Sequence, residues 1–334
     1  MADDIPVSGF FRATEEDTIS RLDAFQADGI FQFVAGNMLE AFYNMGAAIM
    51  NPDMWLAWLP FINQPMDDMA VKESLMRFMY YGASVEFFFV VFNIFLIVTV
   101  IGFLNNRFMW SCVRVLEGFG NTVGRLFAWA GLLMVLQQIV IIFMQRVFAV
   151  SEIGMGFGLN FAKDVSWWSE ELKLFNAMIV CMCAAYTFIQ GGHVRVDLIY
   201  SAVSYRTKRI IDMVGSLVLM IPAAVIVWLY GWFFLWRHLV VPNPSASDAL
   251  ERLLTRARAL RWNVETIGFS PNGFNAYFLF KILLVVFTLM IMLQAVAFFY
   301  RSYLEFKEGP DSEGKYLDKD QLGDPTAERV AEIH

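Results

Sequence analysis

Five apolar runs, each about the length of a lipid bilayer crossing, constrain this chain more than any other feature. They extend over about Ser84 to Leu104, Leu126 to Phe148, Leu172 to Gln190, Ile210 to Trp236 and Ala276 to Tyr300. At about 1.5 Å per helical residue, some 20 residues cover a hydrocarbon core about 30 Å thick. Of the 334 residues, 58% are hydrophobic and 17% charged. Soluble domains average about 45–50% and 25%, so composition agrees with the runs. The expected fold is all-α, a polytopic membrane helix bundle. The third run is the shortest, and Lys173 at its start must snorkel to the interface. The fourth carries Pro222, which a membrane helix tolerates at the cost of a kink.

Basic residues in the connecting segments orient the runs. Arg107, Arg114 and Arg125 outweigh Glu117 after the first run. Glu152, Asp164, Glu170 and Glu171 outweigh Lys163 after the second, and Arg195, Arg206, Lys208 and Arg209 outweigh Asp197 after the third. The first and third connections are therefore expected in the cytoplasm, with the C-terminus. The fourth is nearly balanced, with Arg252, Arg256, Arg258 and Arg261 against Asp248, Glu251 and Glu265, and constrains orientation weakly.

The remaining segments divide as follows. Residues 1–28 read as a polar acidic tail without the basic region of a signal peptide, so the spans themselves are expected to drive insertion. Residues 29–83 hold a moderately apolar stretch, Gly29 to Met50, with Asn37, Glu40 and Asn44 on one helical face. It reads as an interfacial amphipathic helix or as a sixth span. Trp55 and Trp58 read as interfacial anchors. Residues 84–104 form an additional transmembrane helix, residues 125–302 a four-helix membrane domain, and residues 303–334 a mobile, acidic cytoplasmic tail.

Several function classes lose support. A net charge of −7 gives nucleic-acid binding no electrostatic footing. The three histidines, His193, His238 and His334, lie too far apart along the topology to clasp a haem. Cys112, Cys181 and Cys183 have no metal or disulfide spacing and read as small buried hydrophobes. No nucleophile elbow or phosphate loop occurs, so no catalytic residue, cofactor or metal is expected. Ionisable groups sit near span ends, as with Glu86, Arg146, Lys173 and Lys281. Mid-span polar groups such as Asn93, Gln137, Gln138 and Gln294 are neutral amides suited to bridging helices. Without buried charge or broken half-helices, a self-sufficient pump is disfavoured.

The most distinctive stretch closes the third run: Gly191-Gly192-His193-Val194-Arg195-Val196-Asp197-Leu198. On a helix, His193 and Asp197 share a face while Arg195 points elsewhere. The cluster reads either as topology-setting charge or as a docking contact. The following Arg206 to Arg209 run reads mostly as topology-setting charge.

From Trp168 to Leu217, this element sits between Trp-Ser-Glu-Glu-Leu-Lys-Leu-Phe and Arg-Ile-Ile-Asp-Met-Val-Gly-Ser-Leu. The stretch resembles the small permease subunit, DctQ type, of the tripartite ATP-independent periplasmic (TRAP) transporters, over about Arg125 to Ser302. In that family an acidic residue opens the second helix, matched by Glu171, and His193, Arg195 and Asp197 match the element that closes it. Lys281 and Gln294 match a Lys and a Gln of the last helix. The segments before Arg125 depart from the family's four-helix pattern, as one or two extra N-terminal membrane helices.

The resemblance implies a brace in the bacterial inner membrane. Its partners would be a large permease subunit (DctM type), which carries the substrate and cation sites, and a periplasmic solute-binding protein (DctP type). Membrane lipids would surround it. The complex would import an organic acid on a cation gradient. Glu171, Gly191, Gly192, His193, Arg195, Asp197, Lys281 and Gln294 become candidate docking or structural residues. The alternatives are a membrane anchor of an electron-transfer complex and a small stand-alone channel.

Overall fold

A computed structural model describes residues 8–12, 18–62, 66, 68–155, 161–191, 203–240, 274 and 276–320. The chain divides into two compact units with their main boundary between Ile101 and Gly102.

The first unit opens with α1 (Arg21–Ala27), started by a capping box in which the Ser20 hydroxyl and Asp23 carboxylate serve each other's backbone amides. α2 (Ile30–Met50) folds back on it. Gln26 lies over Gly36, where even a Cβ would come within 2.5 Å of it, and its amide donates to Glu40 at 2.9 Å. The polar face of α2 therefore meets α1. By length and composition α2 is not among the helices apolar enough to cross a membrane. After a short turn, α3 (Asp53–Leu56), comes α4 (Met69–Tyr81), whose Phe78 packs on Trp55 and Trp58. Trp58 is buried against α4. α5 (Val85–Leu104) is apolar all round, and its Asn93 donates to the Met38 carbonyl of α2 at 2.8 Å.

The second unit is a helix bundle. α6 (Asn106–Ile142) starts on an Asn105 cap and continues through a π-helical turn to Val147. Residues 106–124, expected as a loop, are helical. The reason lies in their spacing: Met109, Trp110, Val113, Glu117, Gly120, Asn121 and Gly124 recur every three or four residues and form the buried stripe. The continuous helix of 42 residues is about 60 Å long, twice a hydrocarbon core. Its apolar run begins only at Leu126, so the second half alone has the length and composition of a membrane crossing.

A two-stranded antiparallel hairpin follows, β1 (Glu152–Met155) and β2 (Phe161–Asp164), with Glu152 opposite Asp164. It is a small exception to the all-α expectation. α7 (Val165–Met182) and α8 (Ala184–Gln190) form one bent pair with a 45° bend at Cys183. There the Thr187 hydroxyl donates back to the Cys183 carbonyl at 2.7 Å, a bond that bends helices. α9 (Tyr205–Gly215) joins α10 (Ile221–Val240) through a second π-helical turn at Ser216–Met220. Pro222 follows at once, and the wider turn absorbs its missing N–H donor.

α11 (Phe278–Glu308) is the central helix, packed on α6, α7, α8 and α9. Leu174, Met182, Ala185, Phe274, Leu283 and Met290 form its apolar core with α7 and α8. The helix does not stop near Tyr300. Residues 303–308 continue it and residues 309–320 lie against the bundle, contrary to the expectation of a mobile tail over 303–334, whose residues 321–334 lie outside the described ones. Among the described residues, four helices are long and apolar enough to cross a membrane, and the bent α7–α8 pair is a fifth candidate.

Candidate functional site

Where α6 and α11 extend beyond their apolar runs, the bundle holds a buried ion network. Arg301 of α11 donates from Nε and Nη2 to both carboxylate oxygens of Glu117 on α6, each at 2.6 Å. Its Nη1 reaches Glu305 Oε1 at 3.4 Å and the Lys315 carbonyl at 3.0 Å. The guanidinium also lies over the Trp110 ring, 5.5 Å from its centre. Glu305, one helical turn along, lies between two arginines. Its Oε2 is 2.9 Å from Arg209 Nε on α9, near enough for charge attraction though not aligned as a hydrogen bond. Arg209 further pairs with Asp212 at 3.3 Å and Glu313 at 2.7 Å.

Glu117, Arg209, Arg301 and Glu305 are all buried. Two guanidiniums against two carboxylates leave no uncompensated charge at the centre, and burial is tolerable only for such balance. Three helices are tied by four side chains. This arrangement fixes position, and among the described residues no group of three or more His, Cys, Asp and Glu could hold a metal.

A strap, Gly309–Asp320, closes the same end. Tyr316, held at φ 60°, stands between Trp110 and Arg114. Beyond it, Asp318 and Asp320 meet a cradle on α6 and α8. Arg125 Nη1 and Nη2 hold Asp318 at 2.8 and 3.0 Å, and Nη2 reaches Asp320 at 2.6 Å. The Tyr186 hydroxyl donates to Asp320. Asn121 and Gln190 amides donate to the Asp318 carbonyl at 2.9 and 3.0 Å, and Gln190 accepts from the Asp320 amide at 3.0 Å. The Arg125 guanidinium holds both carboxyls below the ordinary carboxylate range, with Tyr186 adding to the effect on Asp320.

Gly124 sets this geometry. A Cβ there would come within 2.1 Å of Tyr186 Cβ, so only glycine lets α8 approach close enough to put Tyr186 beside Arg125. Cys183 Sγ, 3.4 Å from the Gly124 carbonyl, marks the same contact.

At the other end of the bundle, Gln137 donates to Glu171 at 2.7 Å, joining α6 to α7. The neighbouring Glu170 is the buried carboxylate and accepts from the Phe274 amide at 2.8 Å. Trp168 donates to the Ile153 carbonyl and anchors the hairpin.

The candidates from sequence are dispersed. Glu171 lies nearly two turns into α7, which Asp164 rather than Glu171 opens, and Lys281 is one turn into α11. Gln294 is buried where α11 crosses Gly120 of α6, its Oε1 3.7 Å from where a Cβ on Gly120 would lie. Gly191 caps α8 with φ 79°. Gly192, His193, Arg195 and Asp197 lie outside the described residues. The structure brings none of the described candidates into one cluster. Glu117, Arg209, Arg301 and Glu305 were not singled out as candidates in the sequence, although Glu117 recurs at helical spacing with Val113 and Asn121. No family model, curated protein or solved structure matches the chain.

Proposed function

We propose that the chain is the small membrane subunit of a TRAP transporter, a non-catalytic brace for a DctM-type permease that receives an organic acid from a DctP-type binding protein. Its place is the bacterial inner membrane, with the strap in the cytoplasm. The support comes from two directions. In sequence, Trp168 to Leu217 resembles the DctQ family. In structure, the carrying observation is the buried network of Glu117, Arg209, Arg301 and Glu305.

A subunit against which another domain moves must hold its own helices fixed. Separating buried partners leaves bare charge in a low-dielectric setting, which costs about 3–5 kcal/mol. The network therefore resists sliding of α6, α9 and α11. The faces of α6 carrying Leu132, Leu136, Ile139 and Val140 are exposed within the chain, which suits contact with lipid or a neighbouring subunit.

A tagged pull-down from native membranes in mild detergent tests the reading. Recovery of a many-spanning permease at equal stoichiometry is expected. Recovery of the chain alone or with a redox subunit, or uptake of an organic acid by liposomes holding only this chain, overturns it.

A further inference from the structure

The strap lies over a cluster of side-chain donors on α6 and α8. Arg125 offers its whole guanidinium fork, and Tyr186, Asn121 and Gln190 add a hydroxyl and two amides, all converging on Asp318 and Asp320. Asn121 is fully buried and aims its amide into the cradle. The cradle residues sit on α6 and α8, whose close approach at Gly124 sets the backbone that carries the donors, and Gln190 also reaches Asn121 at 3.4 Å within the cradle. Both sides of the contact reach the surface: Asp318 and Asp320 remain 59% and 44% exposed and Arg125 40%, so an outside anion has access to the guanidinium.

Depth identifies the competing anion. Arg125 immediately precedes Leu126, where the apolar run of α6 begins. A side chain at that level lies beside the phosphate layer, just outside the hydrocarbon. Guanidinium forks match phosphate as well as carboxylate.

We propose that Asn121, Arg125, Tyr186 and Gln190 form a headgroup site for an anionic phospholipid, for which the chain's own Asp318–Asp320 strap competes. The strap is docked in a neutral bilayer and released when an anionic headgroup takes its place.

The test uses the full chain in nanodiscs of phosphatidylcholine, with or without phosphatidylglycerol. Hydrogen exchange over residues 315–320 reports the strap, and native mass spectrometry reports retained lipid. Phosphatidylglycerol is expected to speed strap exchange several-fold. Asp318→Asn with Asp320→Asn removes the competitor and should raise phosphatidylglycerol retention several-fold. Arg125→Gln should abolish retention and make strap exchange fast in both discs. Arg206→Gln, an exposed basic residue outside the cradle, should change neither. Strap exchange unaffected by phosphatidylglycerol, or retention that survives Arg125→Gln, overturns the site. Equal loss of retention in Arg206→Gln reduces the effect to general surface charge and also overturns it. Equal strap release by inorganic phosphate in neutral discs overturns the lipid assignment.

Discussion

Arg301 and Glu117, 184 positions apart in the chain, meet in a two-point ion pair with both N–O distances at 2.6 Å. Both are buried, so each is tolerated only because of the other. Glu117→Gln or Arg301→Met alone should destabilise the protein by about 3–5 kcal/mol. The pair Glu117→Leu with Arg301→Met should recover much of that loss, since it buries no orphan charge. Thermal unfolding in detergent decides, and equal loss in single and double variants would place the cost elsewhere.

The strap's hold should depend on pH in one direction. Asp318 and Asp320 have carboxyls held below the ordinary range by Arg125. Their contribution is thus complete above about pH 4, the ordinary carboxylate value, and is lost as pH falls through the lowered folded values. Pepsin, active in that acid range, should cut the strap faster as pH falls, and should cut an Asp318→Asn, Asp320→Asn variant rapidly throughout. The same exposed contacts should weaken in high salt, while the buried Glu117–Arg301 pair should not.

Gly124 leaves no room for a side chain beside Tyr186. Gly124→Ala should cost about 1–3 kcal/mol through overpacking. It should also loosen the strap, because Tyr186 moves away from Asp320. A melt combined with strap exchange measures both, and a stable variant with an unchanged strap would show that α8 is not held by this contact.

Glu170→Ala should leave the buried Phe274 amide without an acceptor, at a cost of about 1–3 kcal/mol. Exchange at that amide should rise well before global unfolding. Glu171→Ala removes a half-buried acceptor of Gln137 and should cost less.

If the helix-end element is a docking contact, Arg195→Ala or Asp197→Ala should lower recovery of the large permease more than Arg206→Ala. Equal small effects would leave the element with topology alone.

The apolar spans were legible because hydropathy acts residue by residue along one segment. Glu117 was harder to read, since charge counting places it among loop arginines, while the helical spacing of Met109, Val113 and Asn121 carries the correct assignment. Arg209 looked like one of four topogenic residues, yet Arg206 beside it is exposed and Arg209 is buried. Its partners Glu305 and Glu313 come from a distant segment, and no local pattern announces such pairing. The strap was unreadable for the same reason: an acidic tail looks solvated until Arg125, Tyr186 and Gln190 are brought under it. Glu170 and Glu171 are adjacent, and only packing shows that the first is the buried one.

α6 runs without a break from its ion-paired half into its apolar half. Inserting one residue between Glu117 and Leu126 would turn one half against the other by about 100° and shift it by about 1.5 Å. Glu117 would then face away from Arg301 while the lipid-facing residues kept their places. A loop at this point would absorb such an insertion. Here the number of residues is itself a gauge, so this stretch should be as intolerant of insertions and deletions as the core is of changes in shape.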